Sequence, residues 1–290
     1  MTRKIENKKV AIVGLTRGYN GDLDKYDDLI KRNHSIYKSL NSKLKTPYKL
    51  ILFHEGNISS YDQKYITDNS PELIEFISVE KLFKKFKDIE KSDGYKIMCK
   101  FQMYYIWDYV KEYDYIVRID EDIFLNEIDI ESVKYMENHK IDFLYSKLSY
   151  ESHVPTNKTL PDFIKNLFTT NNTKFYNHLF PYTNFYISKT SFWNKEEIKN
   201  KLKEIAESED QILYRWGDLP VIGCVLNIEK AKFGRIKKLS YYHSSHNLLV
   251  KNNIFSLINE TFHYKRFVNM YPNTFKNIKK ILKKLKPDNT

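Results

Sequence analysis

The stretch Tyr113-Asp114-Tyr115-Ile116-Val117-Arg118-Ile119-Asp120-Glu121-Asp122 (113–122) decides how this chain is read. Its middle is an aromatic and β-branched apolar run of strand length, and it ends abruptly in three successive carboxylates. Upstream lie three further runs of the same kind, KKVAIVGL (8–15), YKLILFHEG (48–56) and LIEFISV (73–79). Between them, Leu23, Tyr26, Leu29, Ile30, Ile36, Tyr37, Leu40 and Leu44 recur at roughly helical spacing, and a long amphipathic helix is predicted over 94–112. Strands alternating with helices predict an α/β domain with a mostly parallel central sheet. Downstream, strands are expected at 142–151, 184–188 and 236–246. Helices are expected in pieces over 155–180, at 194–208 and at 220–228. No internal repeat and no Pro/Gly/Ser linker interrupts the pattern, so one domain is expected over 1–246, followed by a basic helical extension over 247–290.

Ligands of open α/β sheets bind outside the C-terminal ends of the strands, where Asp120-Glu121-Asp122 falls. In an extended chain Asp120 and Asp122 point to the same side and Glu121 away. Two converging carboxylates can hold a divalent cation, and such a cation neutralises a diphosphate leaving group. Arg17, in a turn with Gly18 after the first strand, suits a nucleotide phosphate. In LYRWGDLP (213–220), Arg215 and Trp216 beside Asp218 read as a sugar-binding platform. They read equally as an aspartate N-cap with Pro220 at a helix start. His243 and His246, three apart after Tyr241-Tyr242, become candidate ligands only if a carboxylate lies near.

The 290 residues carry 48 Lys and Arg against 37 Asp and Glu, a formal charge of +11, which favours an anionic partner. With 41% hydrophobic and 15% aromatic residues and only 8 Gly and 8 Pro, disordered, collagen-like and low-complexity classes are excluded for the bulk of the chain. Cys99 and Cys224 are too few for a disulfide scaffold or a zinc site, and one bridge between them stays open. The sequons at Asn57, Asn157, Asn171 and Asn259 read as compositional. No apolar stretch is long enough to span a bilayer and the charged N-terminus lacks a signal-peptide core, so a soluble protein, cytoplasmic or peripheral to a membrane, is expected. In FKNIKKILKKLK (275–286) one helical face is apolar amid lysines. Docking on the domain and contact with an anionic membrane are both open.

GYKIMCKF (94–101), its spacing to YDYIVRIDED, then YRWGDLPV (214–221) and SYYHSSH (240–246) resemble, in the same order, motifs of the fungal Golgi α-1,2-mannosyltransferases of glycosyltransferase family 15. The resemblance covers about residues 8–246 and implies a GT-A fold, a GDP-mannose donor, Mn²⁺ (or Mg²⁺), a glycan acceptor and retention of anomeric configuration. By position it implies Asp120, with Asp122, and His243 at the metal, Tyr95 near the donor phosphates and Arg17 on the nucleotide. A mixed carboxylate and imidazole site favours Mn²⁺ over Mg²⁺. Three departures stand out: Tyr186 where the family has a glutamate that is the usual candidate nucleophile, Asp for Glu at Asp120, and no N-terminal anchor.

Without that glutamate, same-face substitution, in which the leaving phosphate helps deprotonate the acceptor, is the expected route. Covalent catalysis by Tyr186 is the alternative, and Asp218 would position hydroxyls. Two rival classes are a sugar-nucleotide-binding module without turnover and a nucleic-acid-binding protein. Nucleic acid is not the expected partner, since no RNP, zinc-finger or basic-zipper pattern appears.

Overall fold

The computed structural model describes residues 8–40, 48–128, 131–169, 175–176 and 178–252. The expected tail helix over 275–286 lies outside them, as do Asn171, Asn259 and Leu44. The strands are β1 (Val10–Thr16), β2 (Tyr48–His54), β3 (Ile74–Ser78), β4 (Tyr115–Ile119), β5 (Ile123–Ile128), β6 (Phe143–Tyr145), β7 (Leu148–Tyr150), β8 (Leu179–Pro181), β9 (Phe185–Lys189), β10 (Phe233–Arg235), β11 (Leu239–His243) and β12 (Leu248–Lys251). Seven of them form one sheet in the order β10-β6-β9-β4-β1-β2-β3. The pairings β3-β2, β2-β1, β1-β4 and β6-β10 are parallel, while β9 runs antiparallel between β4 and β6. The fold is the expected α/β one with a mostly parallel central sheet.

β1 and β4 sit side by side in the middle because both faces of each are apolar, as a strand covered on two sides requires. On one face Ala11, Val13, Ile116, Phe143 and Tyr186 pack with Phe53, Trp107 and Trp193. On the other, Val10, Ile12, Tyr115, Val117, Ile119 and Ile187 form a second cluster. Arg118 is two residues from Ile116 and so falls on the first face, directly opposite Tyr186 in the β4-β9 register.

Several expected elements are reshaped. The helix over 94–112 ends at Tyr109 and is made of Gly94–Lys100, a π-helical turn Phe101–Tyr105 and Ile106–Tyr109. The expected strand at 142–151 is two short ones, β6 in the main sheet and β7 paired with β8. β5, β10 and β12 add strands that the apolar pattern did not announce. β5 and β12 flank β11 in a small antiparallel sheet. Both cysteines are buried and free, which removes the disulfide option. Among the described residues no helix is long and apolar enough to cross a membrane.

Candidate active site

β4 does not continue extended through its carboxylates: residues 120–122 form a tight connection to β5, closed by a bond from the Ile123 N–H to the Asp120 carbonyl at 3.2 Å. The expected divergence of side chains survives by another route. Glu121 turns to β1 and accepts from Thr16 Oγ1 at 2.7 Å. Asp122 faces β11, because β5 pairs with β11 so that Ile123 lies opposite His243. His243 Nε2 thereby reaches Asp122 Oδ2 at 3.0 Å.

The imidazole is oriented from behind. Tyr241 donates to Asn184 Oδ1 at 3.2 Å, which leaves the Asn184 amide nitrogen to meet His243 Nδ1 at 3.3 Å. For Nε2 to offer its lone pair to a cation, Nδ1 carries the proton and the Asn184 amide turns its oxygen to it. Burial pushes the Asp122 carboxyl up, but hydrogen bonds from His243 and Ser245 outweigh it and hold the group below the usual carboxylate range. His246 stays close, its ring centroid 4.4 Å from that of His243.

Asp120 is under the opposite balance. Burial raises it and Arg118 opposes, while Asp218 and Asp122 add repulsion; the net result is a carboxyl pushed up to about 6. Arg118, an arginine inside an otherwise apolar strand, is the functional residue that sequence reading missed. Its Nε donates to Asp120 Oδ1 at 3.0 Å and its NH1 group to Asp218 Oδ2 at 2.6 Å, with the guanidinium buried. Asp218 is therefore not an N-cap: Gly217 holds that position of the helix Asp218–Ile228, and the Asp218 side chain makes no cap bond but answers Arg118. Tyr186 lies under the same guanidinium, whose carbon is 5.8 Å from the ring centroid. Its hydroxyl is buried without a hydrogen-bond partner, and burial raises it well above an ordinary phenol.

The remaining candidates flank this centre. Arg17 is exposed, its guanidinium carbon 5.5 Å from the Tyr19 ring centroid, and it feels the charges of Glu121 and Glu55. Gly18 has to be glycine: a Cβ there would stand 1.8 Å from the Asn57 carbonyl oxygen, and the close approach lets the Gly18 N–H reach Asn57 Oδ1 at 2.8 Å. Tyr95, half exposed in the first turn of Gly94–Lys100, has the Arg215 guanidinium carbon 4.8 Å from its ring centroid. Trp216 is no sugar platform. It is fully buried, its Nε1 donating to Thr159 Oγ1 at 2.8 Å.

Asp122 and His243 touch, Asp120 is within electrostatic reach of Asp122, and Asp218 and Tyr186 are joined to Asp120 through Arg118; Arg17 feels the charge of Glu121, and Tyr95 that of Asp218. Among the described residues no three His, Cys, Asp or Glu side chains gather into a cation cage of their own. The residues present fit a cation whose shell is shared with a bound diphosphate: one carboxylate and one imidazole at contact, with a second carboxylate behind.

No family model matches the chain. It is similar to the O-glycoside α-1,2-mannosyltransferase omh1 of Schizosaccharomyces pombe, with 22% identity over 82% of this chain and 70% of that protein. Its structure superposes on core-mannan synthase A of Aspergillus fumigatus in a Mn/GDP form with a TM-score of 0.61, at 19% identity over 81% of this chain and 74% of that one. For the mannosyltransferase Ktr4p of S. cerevisiae in complex with GDP, the TM-score is 0.63 at 16% identity, over 82% and 72%. The chain thus has the GT-A-like fold of fungal family 15 mannosyltransferases and resembles one of them in sequence across most of its length.

Proposed function

We propose that this protein is a metal-dependent, retaining glycosyltransferase that moves mannose from GDP-mannose to a hydroxyl of a glycan acceptor. The observation that carries the reading is the meeting of Asp122, His243 and Asp120 with the Arg118–Asp218 pair at the C-terminal end of β4. The similarity to mannosyltransferases, one of them in a Mn/GDP form, supports the choice of donor and ion.

Asp122, His243 and Asp120 would hold Mn²⁺, which when bound supplies positive charge to a leaving diphosphate. Arg17, within electrostatic reach of Glu121, would bind the nucleotide phosphates, and Tyr95, within reach of Asp218, would line the donor. Asp218, held by Arg118, positions sugar hydroxyls. Breaking the bond from the anomeric carbon to the phosphate oxygen builds positive charge on the sugar and negative charge on GDP. With the Tyr186 hydroxyl buried and unpaired, the same-face route is favoured. The acceptor oxygen attacks from the side the diphosphate leaves, and the acceptor proton passes to the departing phosphate oxygen.

GDP with Mn²⁺ at about a hundred times its Kd should add roughly 2.7 kcal/mol of stability, several degrees in Tm. Asp120→Asn and His243→Ala should lose the Mn²⁺-dependent part of that shift and abolish transfer. A Mn²⁺-dependent shift undiminished in both variants would remove these residues from the metal site, and no shift with any nucleoside diphosphate would overturn the reading.

A further inference from the structure

The helix Asp27–Leu40 carries a fully buried arginine that the chemistry above does not use. Arg32 Nη2 donates to the Ile119 carbonyl at 2.7 Å and Nη1 to Asn33 Oδ1 at 2.9 Å, while Nε has no hydrogen-bond partner among the described residues. Both acceptors are neutral, and the charges that favour its ionised form, Asp120 and Glu121, act from the turn beyond Ile119. A buried charge held this way is costly, and an apolar side chain of similar volume often serves a core as well or better. Core stability alone therefore does not account for an arginine at this position.

Arg32, Ser35 and Ser39 share one helical face, and that face lies along the connection from β4 to β5. Ser35 Oγ accepts from the Leu125 N–H at 2.9 Å and donates to the Arg32 carbonyl at 2.7 Å, and Ser39 Oγ donates to the Leu125 carbonyl at 3.0 Å. The helix thus grips residue 119 before the carboxylate turn and residue 125 after it. Gly14 on β1 leaves room for the first grip: a Cβ there would stand 2.8 Å from Arg32 Nη2 and 2.9 Å from the Ile119 oxygen.

We propose that Arg32 is a positioning residue for the cation site: with Ser35 and Ser39 it braces the 120–122 turn in the shape that presents Asp120 and Asp122 to one ion. The inference rests on the transferase reading for the role of that ion. Groups that orient metal ligands from behind, without touching the metal, set its affinity by fixing the ligands before it binds.

The test uses the full chain. Amide exchange of the peptide 119–125 is followed by mass spectrometry without ligand, and Mn²⁺ affinity is read from the EPR signal of free Mn²⁺ in the presence of GDP. Arg32→Met removes the guanidinium and keeps a long side chain; Gly14→Ala keeps the guanidinium and drives a Cβ into its contact with Ile119. Both should exchange 119–125 about tenfold faster than wild type and bind Mn²⁺ about tenfold more weakly, with exchange in β2 unchanged as the sign of an intact fold. Arg32→Lys, which still offers a donor, should fall between Arg32→Met and wild type, and it decides the matter with Gly14→Ala if Arg32→Met does not fold. Mn²⁺ affinity within about twofold of wild type in the folded variants overturns the positioning role, whatever the exchange shows. If wild type takes up no Mn²⁺ with GDP while exchange of 119–125 still depends on Arg32, the brace stands and the metal reading falls instead.

Discussion

Tyr186 shows how one side chain redirects a site. Opposite Arg118 in the β4-β9 register, a glutamate would meet the guanidinium directly; tyrosine presents a ring to it, and the charge is taken up by Asp218 and Asp120. Because its hydroxyl makes no hydrogen bond, Tyr186→Phe should leave turnover within about twofold and stability unchanged or slightly raised, since an unpaired buried polar atom is removed. Loss of transfer in that variant, measured by GDP release, would restore the phenol as nucleophile. Arg118 was the residue least legible from sequence. A lone arginine in a strand reads as a surface position, and only the register and the helix start at Asp218 make it a buried bridge between carboxylates.

At the scale of elements, each carboxylate is aimed by the strand or helix next to it. The pairing of β5 with β11 brings His243 to Asp122, and β1 draws off Glu121 through Thr16. The helix Asp218–Ile228 holds Asp218 against Arg118 and packs over β8, with Gly223 under Phe180. A Cβ at Gly223 would sit 2.3 Å from Phe180 Cδ1, so Gly223→Ala should overpack this contact and cost about 1–3 kcal/mol. Thermal melting at fixed ionic strength checks it, and an unchanged Tm would mean that Phe180 moves freely. The strands with continuous apolar runs, β1, β2 and β4, were plain in the sequence. β5, β10 and β12 were not: β5 is mixed in polarity, β10 and β12 are short, and β5 and β10 take partners far along the chain, whereas β12 turns back on the neighbouring β11.

At the scale of the whole molecule, the basic composition is not what the interior of the site uses. The site pairs buried arginine with carboxylates, and a lysine is buried for a structural reason: Lys100 caps the end of the helix Glu196–Glu207 by donating to the Ala206 carbonyl. Desolvation lowers it to about 8, so the native state binds fewer protons than the unfolded chain between about pH 8 and the ordinary lysine range. Stability should therefore rise with pH across that window, by on the order of 1–3 kcal/mol from this group. Lys100→Met should lose that slope relative to wild type in denaturant titrations at pH 7.5 to 9.5; parallel curves would show the ammonium to be solvated.

The alternation of apolar strands and amphipathic helices determined an α/β sheet, and the order of motifs along 8–246 carried the family resemblance, because burial periodicity and local spacing are written in consecutive residues. Which carboxylate meets which partner was decided only by the tertiary structure. Asp122 with His243, Asp120 and Asp218 with Arg118, Glu121 with Thr16, and buried Trp216 behind exposed Tyr214 are contacts set by strand register and helix docking. The long-range ones join positions up to 121 residues apart, 122 to 243, and nothing local in the chain encodes those.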